Sequence, residues 1–117
     1  MNDHIRRILD RLAAGETFEN RESGNSMTPV IQSRQPVTLA PVDADKLERG
    51  DVVYVKVRGN FYTHEVYAVR GDEVQIGNHH GHINGWTPKR QVYGIVVAVG
   101  DRPLPRALEK VRKVEAS

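Results

Sequence analysis

The chain contains no cysteine. That excludes disulfides, thiol nucleophiles and thiolate-bound metals, and it fits a reducing compartment. No apolar run is long enough to cross a membrane, and the first residues lack the apolar core of a secretory signal. A cytoplasmic location without a membrane span is therefore expected. Excess charge is lacking too: 17 Lys and Arg stand against 15 Asp and Glu, a net of +2. The basic residues gather toward the ends, with Arg6, Arg7 and Arg11 at one and Arg102, Arg106, Lys110, Arg112 and Lys113 at the other. Solvated helix faces account for both groups, so nucleic acid is not an expected partner. What is there is 117 residues of ordinary globular composition, enough for one domain with a modest core.

Apolar periodicity predicts a helix over 3–14. Ile5, Ile8, Leu9 and Leu12 share one face, Asp3 serves as N-cap and Gly15 as stop. This stripe is expected to dock on the domain or on a second copy of the chain, which would make a homodimer. Residues 16–29 are polar. Strands are predicted at 37–42, at 52–57 (the strongest signal), at 61–69 after a turn at Arg58-Gly59-Asn60, at 73–76 and at 92–99. Along 61–69, Tyr62, His64, Val66 and Ala68 alternate with Phe61, Thr63, Glu65, Tyr67 and Val69. Residues 77–85 read as a loop or irregular hairpin, and 104–114 as a short C-terminal helix carrying Leu104, Leu108 and Val111 on one face. Many short strands with turn punctuation make a mainly β fold, either a small barrel or a coiled sheet.

One stretch carries chemistry. In Ser23-Gly24-Asn25-Ser26-Met27-Thr28-Pro29, Gly24 can take angles other residues avoid, and Pro29 fixes its own φ and biases Thr28 toward extended backbone. A tight turn built this way can hold the Ser26 hydroxyl outward and aim the N–H groups of Asn25 and Ser26 at one point. That is a nucleophile beside an oxyanion hole. The same composition also suits a plain surface loop. The run His79-His80-Gly81-His82 raises zinc, but no Cys or nearby carboxylate completes a site, so no metal and no cofactor are expected.

Four stretches, in order, resemble the boxes of the superfamily that joins type I signal peptidases with LexA-type self-cleaving repressors. Gly24-Asn25-Ser26-Met27-Thr28-Pro29 resembles the nucleophile box, and Arg49 to Val55 the strand box after it. His64-Glu65-Val66 with Gly71-Asp72-Glu73-Val74 resembles the box of the general base. Gly77-Asn78, with Gly94-Ile95-Val96-Val97 downstream, resembles the closing box. The resemblance covers about 22–99. It implies a peptidase domain over 22–100, preceded by a helix and lead-in at 1–21 and followed by a tail or helix at 101–117.

The resemblance implies a coiled β-sheet with Ser26 as nucleophile and His64, 38 residues later, as base, as in the His-type signal peptidases. His accepts a proton near neutral pH, which suits the task; Lys56, in the strand before the hairpin, is the competing base. Two positions depart from the family. Asn78 stands where the His-type members carry an orienting Asp, with no Asp or Glu between Glu73 and Asp101, and Glu65 replaces a basic residue. Asn78, Asn84 or a water would have to orient the ring, with Asn78 first by its place in the closing box. The activity implied is endopeptidase cleavage of an extended peptide through a Ser26–His64 dyad. The alternative is an inactive relative that binds protein as a regulator of phage or bacterial type. Ala14-Gly15 resembles the bond that LexA-type repressors cut in themselves, but the family's cleavage segment normally lies much further upstream and Ala-Gly at a helix end is an ordinary stop signal, so efficient self-cleavage is not expected.

Overall fold

In the computed structural model, which describes residues 2–113, the alternating segments form one antiparallel sheet. Its strands are β1 (Phe18–Asn20), β2 (Val37–Pro41), β3 (Val52–Val57), β4 (Asn60–Arg70), β5 (Glu73–Gly77), β6 (Ile83–Pro88), β7 (Val92–Val99) and β8 (Arg102–Pro103). They pair in the order β1-β2-β7-β3-β4-β5-β6, with β8 on β7. The path does not close, so of the two mainly β forms the chain takes the open, coiled one. No helix among the described residues is long and apolar enough to cross a membrane.

β3 lies at the centre because both of its faces are apolar. Val53, Val55 and Val57 enter one cluster with Val66, Ile76 and Ile95; Val52 and Tyr54 enter a second with Met27 and Leu39. A strand covered on both sides reads as an unbroken apolar run, which is why its sequence signal is strong.

The second cluster is roofed by α1 (Asp3–Ala13), whose Ile8 and Leu12 are buried against it. The stripe thus docks on its own sheet. Gly94 on β7 lets the helix in close: a Cβ added there would lie 2.9 Å from Leu12 Cδ1. The N-cap is Asn2 and not Asp3. Asn2 Oδ1 accepts from Ile5 N at 2.8 Å, while Asp3 sits in the first turn near the positive end of the helix. Gly15 ends the helix as expected. At φ 83° it lets Gly15 N and Glu16 N reach the Leu12 and Arg11 carbonyls, both at 3.0 Å.

Other segments differ from the sequence reading. β1 lies within the polar lead-in, where Phe18 is buried opposite Leu39. β4 bulges at Tyr67, so strict alternation of faces holds only as far as Val66. β6 follows the irregular hairpin as an unforeseen edge strand. The C-terminal helix is only α2 (Pro105–Leu108). Val111 then bridges to Val42, and Lys110 O accepts from Asp43 N at 2.8 Å. The helix stops because Lys110 is drawn inward: its Nζ lies 2.7 and 2.8 Å from the two oxygens of buried Asp51. Residue 114, the end of the predicted helix, and the tail after it lie outside the described residues.

Candidate active site

The Ser26 turn lies in the segment between β1 and β2. Gly24 takes φ 118°, in the left-handed region. Thr28 N and Thr28 Oγ1 both donate to Asn25 O, at 3.2 and 2.9 Å, and Ile31 N donates to Met27 O at 2.8 Å. Met27 is buried beneath α1, so the core pins the turn from below while Ser26 stays exposed. From the other side the turn is held by the β5–β6 hairpin. His79 N donates to Ser26 O at 2.9 Å, and His80 Nε2 donates to Asn25 O at 2.9 Å while lying 3.1 Å from Thr28 Oγ1.

β4 carries His64, in register with Val53 of β3. Its ring is buried at 7 % exposure and reaches two partners: Nε2 lies 3.1 Å from Ser26 Oγ, and Nδ1 lies 2.7 Å from Asn84 Oδ1 on β6. A side-chain carbonyl oxygen only accepts, so Nδ1 carries the proton and Nε2 turns its lone pair to the Ser26 hydroxyl. That is the tautomer a base needs to take a proton from serine. The Tyr62 ring stacks on the imidazole at 4.7 Å between centroids and 22° between planes.

Burial pushes the His64 pKa below the ordinary imidazole value, because the charged ring is poorly solvated there. The Asn84 hydrogen bond and the Glu65 charge act against that, and His82 adds to it. A lowered value keeps the ring neutral, and so able to accept a proton, at neutral pH.

The position of Asn78 corrects the sequence reading. Its Oδ1 accepts from His80 N at 2.8 Å and from His82 N at 3.0 Å, so it shapes the hairpin and does not touch His64. Asn84 takes the orienting place. Lys56 makes no hydrogen bond to Ser26; its Nζ lies 5.6 Å over the Phe61 ring instead. The three loop histidines diverge. His79 pairs with Glu65, His80 holds the Ser26 turn and His82 bonds through its backbone. No group of metal-ligating side chains gathers among the described residues.

The N–H groups of Asn25 and Ser26 donate no hydrogen bond among the described residues, which leaves both free for an oxyanion beside Ser26 Oγ. A small cavity of about 40 Å³ adjoins the serine, with Met27, Ile31, Val37 and Thr63 in its walls. Thr63 Oγ1 is buried there without a partner among the described residues. A larger cavity of about 310 Å³, beside Lys110 and Asp51, shares no lining residue with it. Size is thus a poor guide here, because nothing in the larger space is arranged as nucleophile and base.

From the sequence Asn84 is one of several candidate orienters, and Tyr62 and His80 are not singled out for these contacts. Tyr62 stands two residues before His64 on one strand, which is a usable signal; Asn84 and His80 depend on how the sheet coils. No protein-family model, no curated protein and no solved structure matches the chain.

Proposed function

We propose that this chain is a serine peptidase-type hydrolase that cleaves an extended peptide through Ser26, His64 and Asn84, in the manner of the signal peptidase and LexA superfamily that its sequence resembles. The observation that carries the reading is the Ser26 Oγ–His64 Nε2 contact of 3.1 Å, with Nδ1 held at 2.7 Å by an acceptor. His64 Nε2 takes the hydroxyl proton as Ser26 Oγ attacks the peptide carbonyl carbon. The Asn25 and Ser26 N–H groups receive the oxyanion. As the tetrahedral species collapses, the C–N bond breaks and His64 gives its proton to the leaving amine. Water, deprotonated by the same ring, then adds to the acyl carbonyl; the acyl C–Oγ bond breaks, and His64 returns the proton to Ser26 Oγ. Substrate lies along a strand edge, and a reducing, cytoplasmic setting fits the lack of cysteine.

A second reading, a binding module without turnover, draws on one fact: the partner of Nδ1 is a neutral amide, which stabilises the imidazolium less than a carboxylate does. A fluorophosphonate probe separates the two. Labelling of the wild type that is lost in Ser26→Ala and in His64→Ala supports the hydrolase. A wild type that stays unlabelled across pH 6–9 sinks it in favour of the binding module.

A further inference from the structure

A cleft of about 260 Å³ lies away from the serine, at the tip of the β3–β4 hairpin, and shares no lining residue with the Ser26 cavity. Lys56, Arg58 and Arg90 line it with Trp86, Thr87 and Gln91, and no carboxylate does. None of the three cations forms an ion pair among the described residues. The adjoining groove, which shares Pro88 and Arg90, holds Asp45 and Asp72; Asp45 is matched there by Lys89 at 3.7 Å, and Asp72 forms no ion pair with Arg90. A cleft walled by charge of one sign concentrates counter-ions.

The cleft is built by the backbone as well as lined by charge. Arg58 sits at φ 50°, where residues other than Gly, Asn and Asp are uncommon, and Gly59 follows at 84°. The Arg58 side chain lies against Gly85, the residue before Trp86. A Cβ added at Gly85, itself at φ 136°, would come within 3.3 Å of Arg58 Nε. The missing side chain thus makes room for the guanidinium beside the tryptophan. Thr87 Oγ1 donates to Lys56 O at 2.8 Å and ties this wall of the cleft to β3.

We propose that this cleft binds a polyphosphate: linked phosphate groups of the kind found in inorganic pyrophosphate or in the diphosphate of a nucleotide. Two planar guanidinium forks suit phosphate oxygens, and the Lys56 ammonium adds a point charge. A single carboxylate leaves two of the three cations unmatched, whereas two linked phosphates match all of them within a space of this size.

Trp86 is the only tryptophan in the chain and lines this cleft, so tryptophan emission reports on it; Arg70, which lies 4.1 Å over the same ring, does not line the cleft, so the arginine variants below decide whether a response arises there. Pyrophosphate titrated into the wild type at low ionic strength is expected to change the emission saturably, with half-effect below about 1 mM. Sodium chloride at matched ionic strength is expected to change it little and without saturation. Arg58→Gln and Arg90→Gln should each weaken binding about tenfold, and Arg102→Gln, outside the cleft, should not. Circular dichroism checks that each variant is folded; should Arg58→Gln misfold, Arg90→Gln decides alone. ADP binding about tenfold tighter than pyrophosphate, with adenosine inert, identifies a nucleotide as the source; equal affinities identify inorganic phosphates. The proposal is overturned if neither anion gives a saturable change, or if the response persists unaltered in the folded arginine variants.

Discussion

At the scale of single residues, the proposed chemistry turns on the group that faces His64 Nδ1. Asn84 fixes the tautomer but brings no charge. Asn84→Asp supplies the charge, favours the imidazolium that forms as Ser26 attacks, and should raise kcat while moving the acidic limb of the rate profile to higher pH. Asn84→Ala frees the tautomer and should lower kcat tenfold or more, toward the roughly 10⁴-fold cost of a misdirected imidazole. Asn78→Asp, on a residue whose side chain bonds the hairpin backbone and not His64, should leave both rate and limb unchanged. If Asn78→Asp alone moves the limb, the assignment of Asn84 is wrong. In the wild type the base must be neutral and burial lowers its pKa, so the limb should lie below the ordinary value of about 6.5. Glu65→Gln removes a charge that raises that pKa and should push the limb lower still; a shift upward contradicts the assigned cause. The same group bears on folding. Between the lowered folded value and about 6.5, the unfolded chain holds the proton more tightly. The stability linked to neutral His64 is therefore whole above that window and is lost as pH falls through it.

At the scale of elements, the packing of α1 on β7 is the tightest test. An alanine methyl at Gly94 would lie 2.9 Å from Leu12 Cδ1 and 3.1 Å from Ala40 O. Gly94→Ala should cost about 1–3 kcal/mol by overpacking. In a double mutant with Leu12→Ala the loss should fall short of the sum of the single losses, since each change removes the other's clash or void. Denaturant unfolding of the four proteins measures this, and full additivity would refute the contact. Elements with a strong periodic signal were legible in the sequence. β3 is a continuous apolar run, β4 alternates up to its bulge, and α1 has a clean stripe and stop. β1 and β8 were not legible because they are three and two residues long. β6 carries an interior Gly85 and a terminal Pro88, both of which read as breakers. The same distinction runs through the candidate site. Ser26 and His64 could be picked out because each stands in a recognisable local setting. Asn84 could not be told from Asn78, because only the coiling of β4, β5 and β6 decides which amide reaches the ring.

Across the whole molecule, the parts that hold the candidate site and the part that closes the fold are separate. The C-terminal segment straps across the sheet far along the chain from Ser26. Val111 bridges to Val42, Arg112 Nη2 donates to Leu12 O at 3.3 Å, and Lys110 and Asp51 are 5 % and 7 % exposed. The Ser26 turn is held instead by Met27 from below and by His79 and His80 from the side. Two substitutions should therefore fail in opposite ways. Asp51→Ala leaves the buried Lys110 ammonium with only the more distant Glu48 Oε2, at 3.8 Å, and should cost about 3 kcal/mol of global stability, yet the folded fraction should keep the wild-type rate. His80→Ala removes one donor from the exposed Asn25 carbonyl and should cost about 1 kcal/mol or less. It also loosens the turn that aims Ser26, and a displacement of about 1 Å there can lower kcat on the order of 100-fold. Thermal unfolding and probe-labelling rates, measured on both variants, resolve the two effects. If His80→Ala labels as fast as the wild type, the hairpin does not position the nucleophile. If Asp51→Ala, still folded, labels slowly, the strap and the site are coupled after all.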